Sequence, residues 1–306
     1  MNISIIGYGS QGKRIHSLIK KKFNKVYIFH PRKKNKIFNN NIKILKESDI
    51  VFICSPNYSH LKYINILNNE TYIFCEKPPV NKLSQYIKLK KIISKKKIYF
   101  NFNERFDLAP KFINKNKKIL GKFLYGNFEI GYNINKKILK NSWKGNKTKT
   151  PRGVFEILSI HYLDLVNYLF GIKKLENKFY KNNNGVVTSA ISKILTKENS
   201  DVNIFCSFSS PFVFKKKMIF ENGIVESDEK SFKVYISNKN SKNIKKTSLL
   251  KLIKNNKHDY YKRYSNSVKD SVNFFLDDLV LKKKSAKINN QISLKSTKFF
   301  LNKSNN

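Results

Sequence analysis

Acidic side chains are scarce in this chain of 306 residues: 20 Asp and Glu stand against 62 Lys and Arg, a formal charge of +42. Arginine is scarcer still, with Arg14, Arg32, Arg105, Arg152 and Arg263 the five among those 62 bases. There are three cysteines and one tryptophan, and no stretch approaches the ~18 consecutive apolar residues of a membrane-spanning helix. Each shortage excludes something. An odd number of cysteines, with no C-x-x-C pair and no His at metal spacing, argues against a disulfide framework or a zinc cluster. Cys54 and Cys75 each close an apolar run, where a small buried hydrophobe is the ordinary explanation, and the count suits a reducing compartment. The shortage of Arg removes the guanidinium forks on which base readout chiefly relies. The lysines are spread evenly, 30 in residues 1–150 and 27 beyond, so neither half is a basic tail. Asn is over-used as well, in runs such as Asn39-Asn40-Asn41, a pattern that compositional drift of the whole coding sequence produces. The charge therefore reads as the coat of a soluble enzyme with salt-sensitive stickiness to polyanions, not as a dedicated nucleic-acid binder.

What is present suffices for a core. Forty per cent hydrophobic and 13% aromatic residues exclude a wholly disordered chain, and the length allows one large or two medium domains. A strand-like run begins at Asn2, leaving no room for the charged and apolar regions of a signal peptide, so the expected location is cytoplasmic and no membrane partner is expected.

The first hundred residues alternate. The apolar run ending at Ile6 meets Gly7-Tyr8-Gly9-Ser10-Gln11-Gly12, and Lys13 to Lys22 then carries Ile15, Leu18 and Ile19 at helical spacing. This is G-x-G-x-x-G with a strand before it and a helix after it. Gly7 permits the tight turn, Gly9 lets the backbone approach a pyrophosphate, and Gly12 allows close helix–strand packing; the helix N-terminus offers N–H groups to the anion. Strands at residues 25–29, 49–54, 71–75 and 98–102, with helices at 58–67 and 84–93, predict a parallel, doubly wound sheet that binds a dinucleotide. At the end of the second strand, where an acid would receive a ribose diol, stand His30, Pro31 and Arg32. An acid would repel a 2′-phosphate and these bases would receive one, so the cofactor reading is NAD(P), leaning to NADP.

Four further segments carry a resemblance. They are Ser55-Pro56-Asn57-Tyr58-Ser59-His60, Glu76-Lys77-Pro78, Asn101-Phe102-Asn103-Glu104-Arg105-Phe106, and the run from Gly153 to Asp164 that contains His161-Tyr162-Leu163-Asp164. In this order and spacing the chain resembles the Gfo/Idh/MocA family of NAD(P)-dependent oxidoreductases (glucose–fructose oxidoreductase, inositol dehydrogenase and relatives). The resemblance implies that Ser55, Pro56, Asn57 and His60 lie along the nicotinamide side. With them the cofactor set is Gly7, Gly9, Ser10, Gln11, Gly12, His30, Arg32, Glu76 and Lys77. It also implies Lys77 and His161 as the catalytic pair, with Arg105, Arg152 and Asp164 toward the substrate and Trp143 as a further candidate for the substrate cleft. The chemistry agrees. Hydride exchange with an alcohol needs a group that takes the hydroxyl proton and a cation that steadies the alkoxide. Lys77 sits at a strand's C-terminal end, where doubly wound sheets bind ligands, and an imidazole exchanges protons near neutral pH. His161 and Asp164, three apart on one helix, share a face.

There is one departure. The family places Asp four residues before this His, where this chain has Ile157. Glu156 is an acid one residue off, and a 100° step per helical residue turns it away from His161 unless the helix starts later or contains a bulge. Without that acid the alternative is a nicotinamide-dinucleotide-binding protein of the same fold lacking the full catalytic set; a polyanion-binding protein on this scaffold is a third reading.

From Gly121 the pattern changes to strands in succession at 122–132, 186–195, 202–208 and 212–220, interrupted by one helix at 155–170. The expected architecture is α/β: an N-terminal doubly wound Rossmann domain (1–120) followed by an α+β domain (121–306) with an open, mainly antiparallel sheet. Helices at 260–281 and 291–301 are expected to pack back on the first domain, and 241–256 reads as a Lys/Asn/Ser-rich loop or insertion. The resemblance implies a homo-oligomer formed through that sheet and a sugar, cyclitol or sugar nucleotide as substrate.

Overall fold

The structure, a computed structural model, describes residues 1–302 other than Arg32, Lys34 and 238–249. The chain forms two compact units, Met1–Phe102 with Lys269–Asn302, and Asn103–Val268.

In the first unit, β1 (Ile3–Ile6), β2 (Val26–Phe29), β3 (Phe38–Asn39), β4 (Ile50–Ile53), β5 (Tyr72–Glu76) and β6 (Lys97–Asn101) form one parallel sheet in the order β3-β2-β1-β4-β5-β6. β1 and β4 are buried at all four residues, the mark of strands covered on both faces; β4 reads as an unbroken apolar run, and β1 is broken only by Ser4, whose hydroxyl meets that of Ser48 at 2.7 Å. α1 (Ser10–Ile19), α2 (Ile42–Lys46), α3 (His60–Ile66) and α4 (Leu83–Ile92) make the crossovers. α1 begins three residues before the expected Lys13, because Gly9 in extended geometry already serves as its N-cap. The strand order reverses between β1 and β4, which places the topological switch point beside the glycine turn.

The second unit contains α5 (Leu108–Lys115), α6 (Lys117–Leu120), β7 (Phe123–Gly131), α7 (Lys136–Asn141) and α8 (Ile160–Phe170). Its remaining strands are β8 (Ile172–Lys181), β9 (Val187–Thr196), β10 (Asp201–Ser207), β11 (Val213–Phe220), β12 (Gly223–Ser227), β13 (Phe232–Ser237) and β14 (Leu250–Asn256). The sheet order is β14-β13-β12-β11-β7-β10-β9-β8, antiparallel except for β7 with β10. The one parallel pair follows from the long crossover that carries α8 between its members. The four expected strands are present as β7, β9, β10 and β11. The expected loop at 241–256 is corrected in part: Leu250–Asn256 is a strand paired with β13, and 241–249 lies outside the described residues.

The chain ends in α9 (Tyr260–Asn273), which starts in the second unit and finishes in the first, then a π-helical segment (Phe274–Leu281) and α10 (Lys287–Leu301). Phe275 of the π segment packs its ring against Phe52, Phe74 and Tyr99 at 5.6, 5.4 and 6.1 Å, roofing β4, β5 and β6.

A cluster of buried charge fixes the second unit. β11 alternates inward and outward, and at an inward position between Phe214 and Met218 it carries Lys216, whose side chain has no exposure. The ammonium donates to Glu104 Oε2 at 2.8 Å and Asp107 Oδ2 at 2.7 Å. Beside it, Arg105 forks onto Asp164 of α8, Nε to Oδ2 at 2.7 Å and Nη2 to Oδ1 at 2.6 Å, both side chains buried. The short 3₁₀ turn Asn103–Phe106 therefore ties α8 to β11 through opposite charges on adjacent residues. Burial pushes the Glu104 carboxyl above its usual range further than Lys216 pulls it back. At Asp107 burial acts upward too, but Lys216 and the Leu108 N–H outweigh it and hold the group low. Burial alone would lower Lys216, and the two carboxylates outweigh it.

Removing one partner of such a group leaves uncompensated buried charge, a cost of about 3–5 kcal/mol. Lys216→Met is expected to lose stability on that scale in urea unfolding at pH 7. Lys217→Met, in the adjacent half-exposed pair with Glu226, is expected to change it by less than about 1 kcal/mol.

Candidate active site

The glycine turn is held by sterics. Gly7 lies at φ +91°, and a Cβ there would stand 2.6 Å from the Ser55 backbone nitrogen; at Gly12 it would stand 2.0 Å from the Gly7 carbonyl oxygen. Both glycines thus let α1, β1 and the loop after β4 close on one another. Gly9 differs: it is exposed, and a Cβ there would meet nothing within 4 Å. No side-chain cap closes the start of α1, and Ser10 is exposed with Gln11 half-buried behind it. A helix of ten residues that offers its first N–H groups over an exposed glycine fits a pyrophosphate.

The other cofactor candidates of the first unit stand on the same C-terminal edge of the sheet. Ser55 and Pro56 follow β4 half-buried, and Asn57 is buried with its Oδ1 accepting from the Tyr58 N–H at 2.8 Å. Glu76 ends β5 and Lys77 follows it, half-buried. His30 follows β2 with its ring 5.3 Å from that of Phe38; Arg32 lies outside the described residues.

His60 has a different role from the one its motif suggests. It is buried, with Nε2 2.8 Å from the Ser55 carbonyl and Nδ1 2.9 Å from that of Pro78. The ring thereby packs between the loops after β4 and β5, and in its neutral form it donates to one of the two carbonyls. Burial lowers its pKa to about 4, assisted by the charge of Lys77 and opposed by the Ser55, Pro78 and Pro79 carbonyls.

Glu76 is also buried and accepts from Asn101 Nδ2 at 2.8 Å; Asn101 Oδ1 accepts from Ser271 on α9 at 2.7 Å, and Ser271 meets the Tyr99 hydroxyl at 2.9 Å. Burial raises the Glu76 carboxyl above its usual range, with Asn101 and Lys77 opposing. Nothing in the sequence around Ser271 points to this supporting chain, since its partner lies 170 residues away.

In the second unit, His161 and Asp164 stand buried on α8, and Arg105 and Asp164 direct their charges at each other. Helix α8 is preceded by a π turn, Phe155–Ser159, in which the Ile160 N–H reaches the Phe155 carbonyl five residues back. This is the bulge that the α-helical spacing had to exclude. The wide turn alters the α-helical register between Glu156, which is fully buried, and His161. Ile157, at the family's acid position, is 8% exposed and packs as an apolar residue. Arg152 is half-buried just before Gly153; its backbone N–H points at Glu156 Oε2 at 3.4 Å, and burial lowers its guanidinium pKa against the pull of Glu156. Gly153, at φ +47° with Val187 O 2.1 Å from an added Cβ, seats this turn against β9.

Residues 1–103 match the model of the Gfo/Idh/MocA oxidoreductase family, NAD-binding Rossmann fold. Those residues hold the glycine turn and the parallel sheet, and they are similar to the NAD-binding part of that family. The two-unit fold is shared along nearly the whole chain. A proposed NADPH-dependent oxidoreductase from Desulfitobacterium hafniense superposes with a TM-score of 0.81 at 15% identity, covering 98% of this chain and 93% of that one. An NAD-binding oxidoreductase from Klebsiella pneumoniae gives 0.78 at 14% identity, covering 98% and 94%. UDP-N-acetylglucosamine 3-dehydrogenase from Acidithiobacillus ferrooxidans gives 0.73 at 13% identity, covering 98% and 96%. A search of the curated proteins finds no match by sequence.

Two predictions follow from the geometry. Gly9→Val is expected to fold with an unchanged melting temperature and to weaken dinucleotide binding at least tenfold by calorimetry. Gly12→Val is expected instead to lose stability by about 1–3 kcal/mol or more through overpacking. His60 gives a pH signature. A His whose folded pKa is depressed keeps its full stabilising effect above the unfolded value near 6.5 and loses it as pH falls toward about 4. The loss amounts to about 3 kcal/mol. The stability difference between wild type and His60→Gln, measured by urea unfolding, should therefore shrink between pH 7 and pH 4; a pH-independent difference would contradict a buried neutral ring.

Proposed function

We propose that this protein is an NAD(P)-dependent oxidoreductase that exchanges hydride with a secondary alcohol or carbonyl of a sugar, cyclitol or sugar nucleotide. The observation that carries the proposal is the position of Lys77: it follows β5 on the same sheet edge as the glycine turn, braced by buried Glu76 and by the His60 ring. The solved relatives support the substrate class, since they include UDP-N-acetylglucosamine 3-dehydrogenase and a levoglucosan dehydrogenase bound to NADH and levoglucosan.

In this reading Gly7, Gly9, Ser10, Gln11 and Gly12 hold the pyrophosphate, while Ser55, Pro56 and Asn57 border the nicotinamide. When bound, the dinucleotide supplies or accepts the hydride. Lys77 presents an ammonium to the substrate oxygen and steadies the alkoxide, and a ring nitrogen of His161 takes the hydroxyl proton in oxidation and returns it in reduction. In this reading Glu156, one residue from the family's acid position, positions the imidazole. Arg105 and Asp164, forked on each other, hold α8 and with it His161, and Arg152 is left as the substrate-facing base. His30 and Arg32 at the end of β2 favour a 2′-phosphate, hence NADPH over NADH. No helix among the described residues is long and apolar enough to cross a membrane, which suits the cytoplasmic location we propose, with copies associating through the open sheet of the second unit.

Lys77→Ala is expected to lose several orders of magnitude in kcat with little change in cofactor affinity, because its charge acts mainly in the transition state. His161→Ala is expected to lose on the order of 10²–10⁴. The measurement is absorbance of reduced nicotinamide over a panel of sugars, cyclitols and sugar nucleotides. Full turnover in Lys77→Ala would leave the cofactor-binding reading without hydride transfer.

A further inference from the structure

The sheet of the first unit has a second feature, at the opposite edge from the glycine turn. A half-open cavity of about 680 Å³ lies at the N-terminal ends of β5 and β6. Its wall is apolar and partly aromatic: Tyr72, Ile93, Tyr99, Phe275, Leu279 and Leu294. Its rim is basic, with Lys96, Lys97, Lys283, Lys284 and Lys287, and no carboxylate is among the described lining residues. Two of the five already face acids outside the cavity, Lys97 with Glu70 and Lys284 with Asp278. The volume falls within the roughly 300–1,000 Å³ of small-molecule sites and far exceeds a packing void.

Three local irregularities converge on this wall. Phe275 and Leu279 project from the π-helical segment Phe274–Leu281, and such segments recur at functional sites. Lys283, immediately beyond it, sits at φ +51°, in the left-handed region that a non-glycine residue adopts only when its surroundings enforce it. Asn290 of α10 lines the cavity while nine-tenths buried; its Nδ2 donates to the Ile98 carbonyl on the edge strand at 2.7 Å, but its Oδ1 accepts no hydrogen bond among the described residues. Burial lowers the Lys96 ammonium, which donates to the Leu67 carbonyl at the cavity's side.

We propose that this cavity is a second ligand site, for a small organic anion with an apolar body and a single carboxylate or phosphate head. The apolar body lies against Tyr72, Ile93 and Leu294, the lining residues that keep exposed apolar surface over the buried Tyr99 and Phe275, and the head meets the lysines of the rim, Lys283 and Lys287 above all. An anion is selected over a neutral ligand by a rim of one sign, and an apolar body over a bare ion by a wall that a hydrated ion would leave wet. The site uses none of the residues assigned to cofactor or substrate.

The test uses the full chain and two probes, decanoate and its neutral analogue decanol, with calorimetric titration in 150 mM salt to suppress binding to the general lysine coat. Expected is one saturable decanoate site per chain, bound at least tenfold more weakly by decanol. Ala286→Trp, at the half-exposed mouth, should abolish it; Lys287→Glu, at an exposed position, should weaken decanoate at least tenfold. Neither variant touches the interior, so both should melt like the wild type. Gly9→Val should leave decanoate binding unchanged, which separates this site from the dinucleotide site. Lys193→Glu, on β9 of the other unit, should also leave it unchanged. Unsaturable binding, equal loss in Lys193→Glu and Lys287→Glu, or unaltered affinity in Ala286→Trp would each overturn the proposal.

Discussion

Lys216 has no water to solvate it, and its position decides how the second unit is arranged. An ammonium enclosed beneath a sheet is tolerable only if carboxylates meet it at hydrogen-bond distance, and Glu104 and Asp107 do so from a single turn of chain. That turn cannot shift without uncovering charge, and the residue between the two acids, Arg105, is committed to Asp164. α8 is thereby fixed in rotation as well as distance, since a forked guanidinium donates to its carboxylate in one plane. His161 lies one turn before Asp164 on that helix. The orientation of the candidate proton-transfer group is thus set by a constellation with no chemical part in the proposed reaction. Such clusters contribute little net stability compared with apolar packing of the same volume. Their effect here is to leave one arrangement of turn, strand and helix in which every buried charge is met.

The first unit reaches comparable precision by exclusion. Gly7 and Gly12 let three backbone segments approach within distances that any side chain would block, and the His60 ring packs between the carbonyls of the next two loops. Lys77 is held between that ring and the Glu76–Asn101–Ser271 chain. Sterics and buried polar pairing thus hold the cofactor edge, and charge pairing holds the helix that carries His161.

How much of this was legible follows from what each feature does to the sequence. The parallel strands were readable because burial on both faces forces unbroken runs such as Ile50–Ile53, and the glycines because their spacing is a steric requirement. β3 is two residues long and leaves no period to detect. β8 was missed because most of Ile172–Lys181 faces solvent, so its lysines and Glu176 mask the alternation. β14 hid beside a stretch rich in Lys, Asn and Ser. The π turn was unreadable in principle from α-helical spacing, because it adds one residue to a turn and shifts the register of everything before it.

Lysine shows most plainly where sequence reading stops. With 57 of them, identity carries almost no information and position carries nearly all of it. Lys77 could be singled out because a Glu and a Pro flank it at the end of a buried strand. Lys216 had a fainter signal, an ammonium at the inward phase of Phe214–Lys216–Met218, where alternation demands an apolar residue. That signal becomes meaningful only once partners are found 109 and 112 residues earlier in the chain. Lys283 and Lys287 had none, because a cavity wall assembled from β5, β6, a π segment and α10 has no linear trace. The same residue type therefore serves as proposed substrate ligand, buried counter-ion and cavity rim in one chain. Composition, which makes the molecule look uniformly basic, conceals that division, and only the geometry of the surrounding acids and apolar walls separates the three.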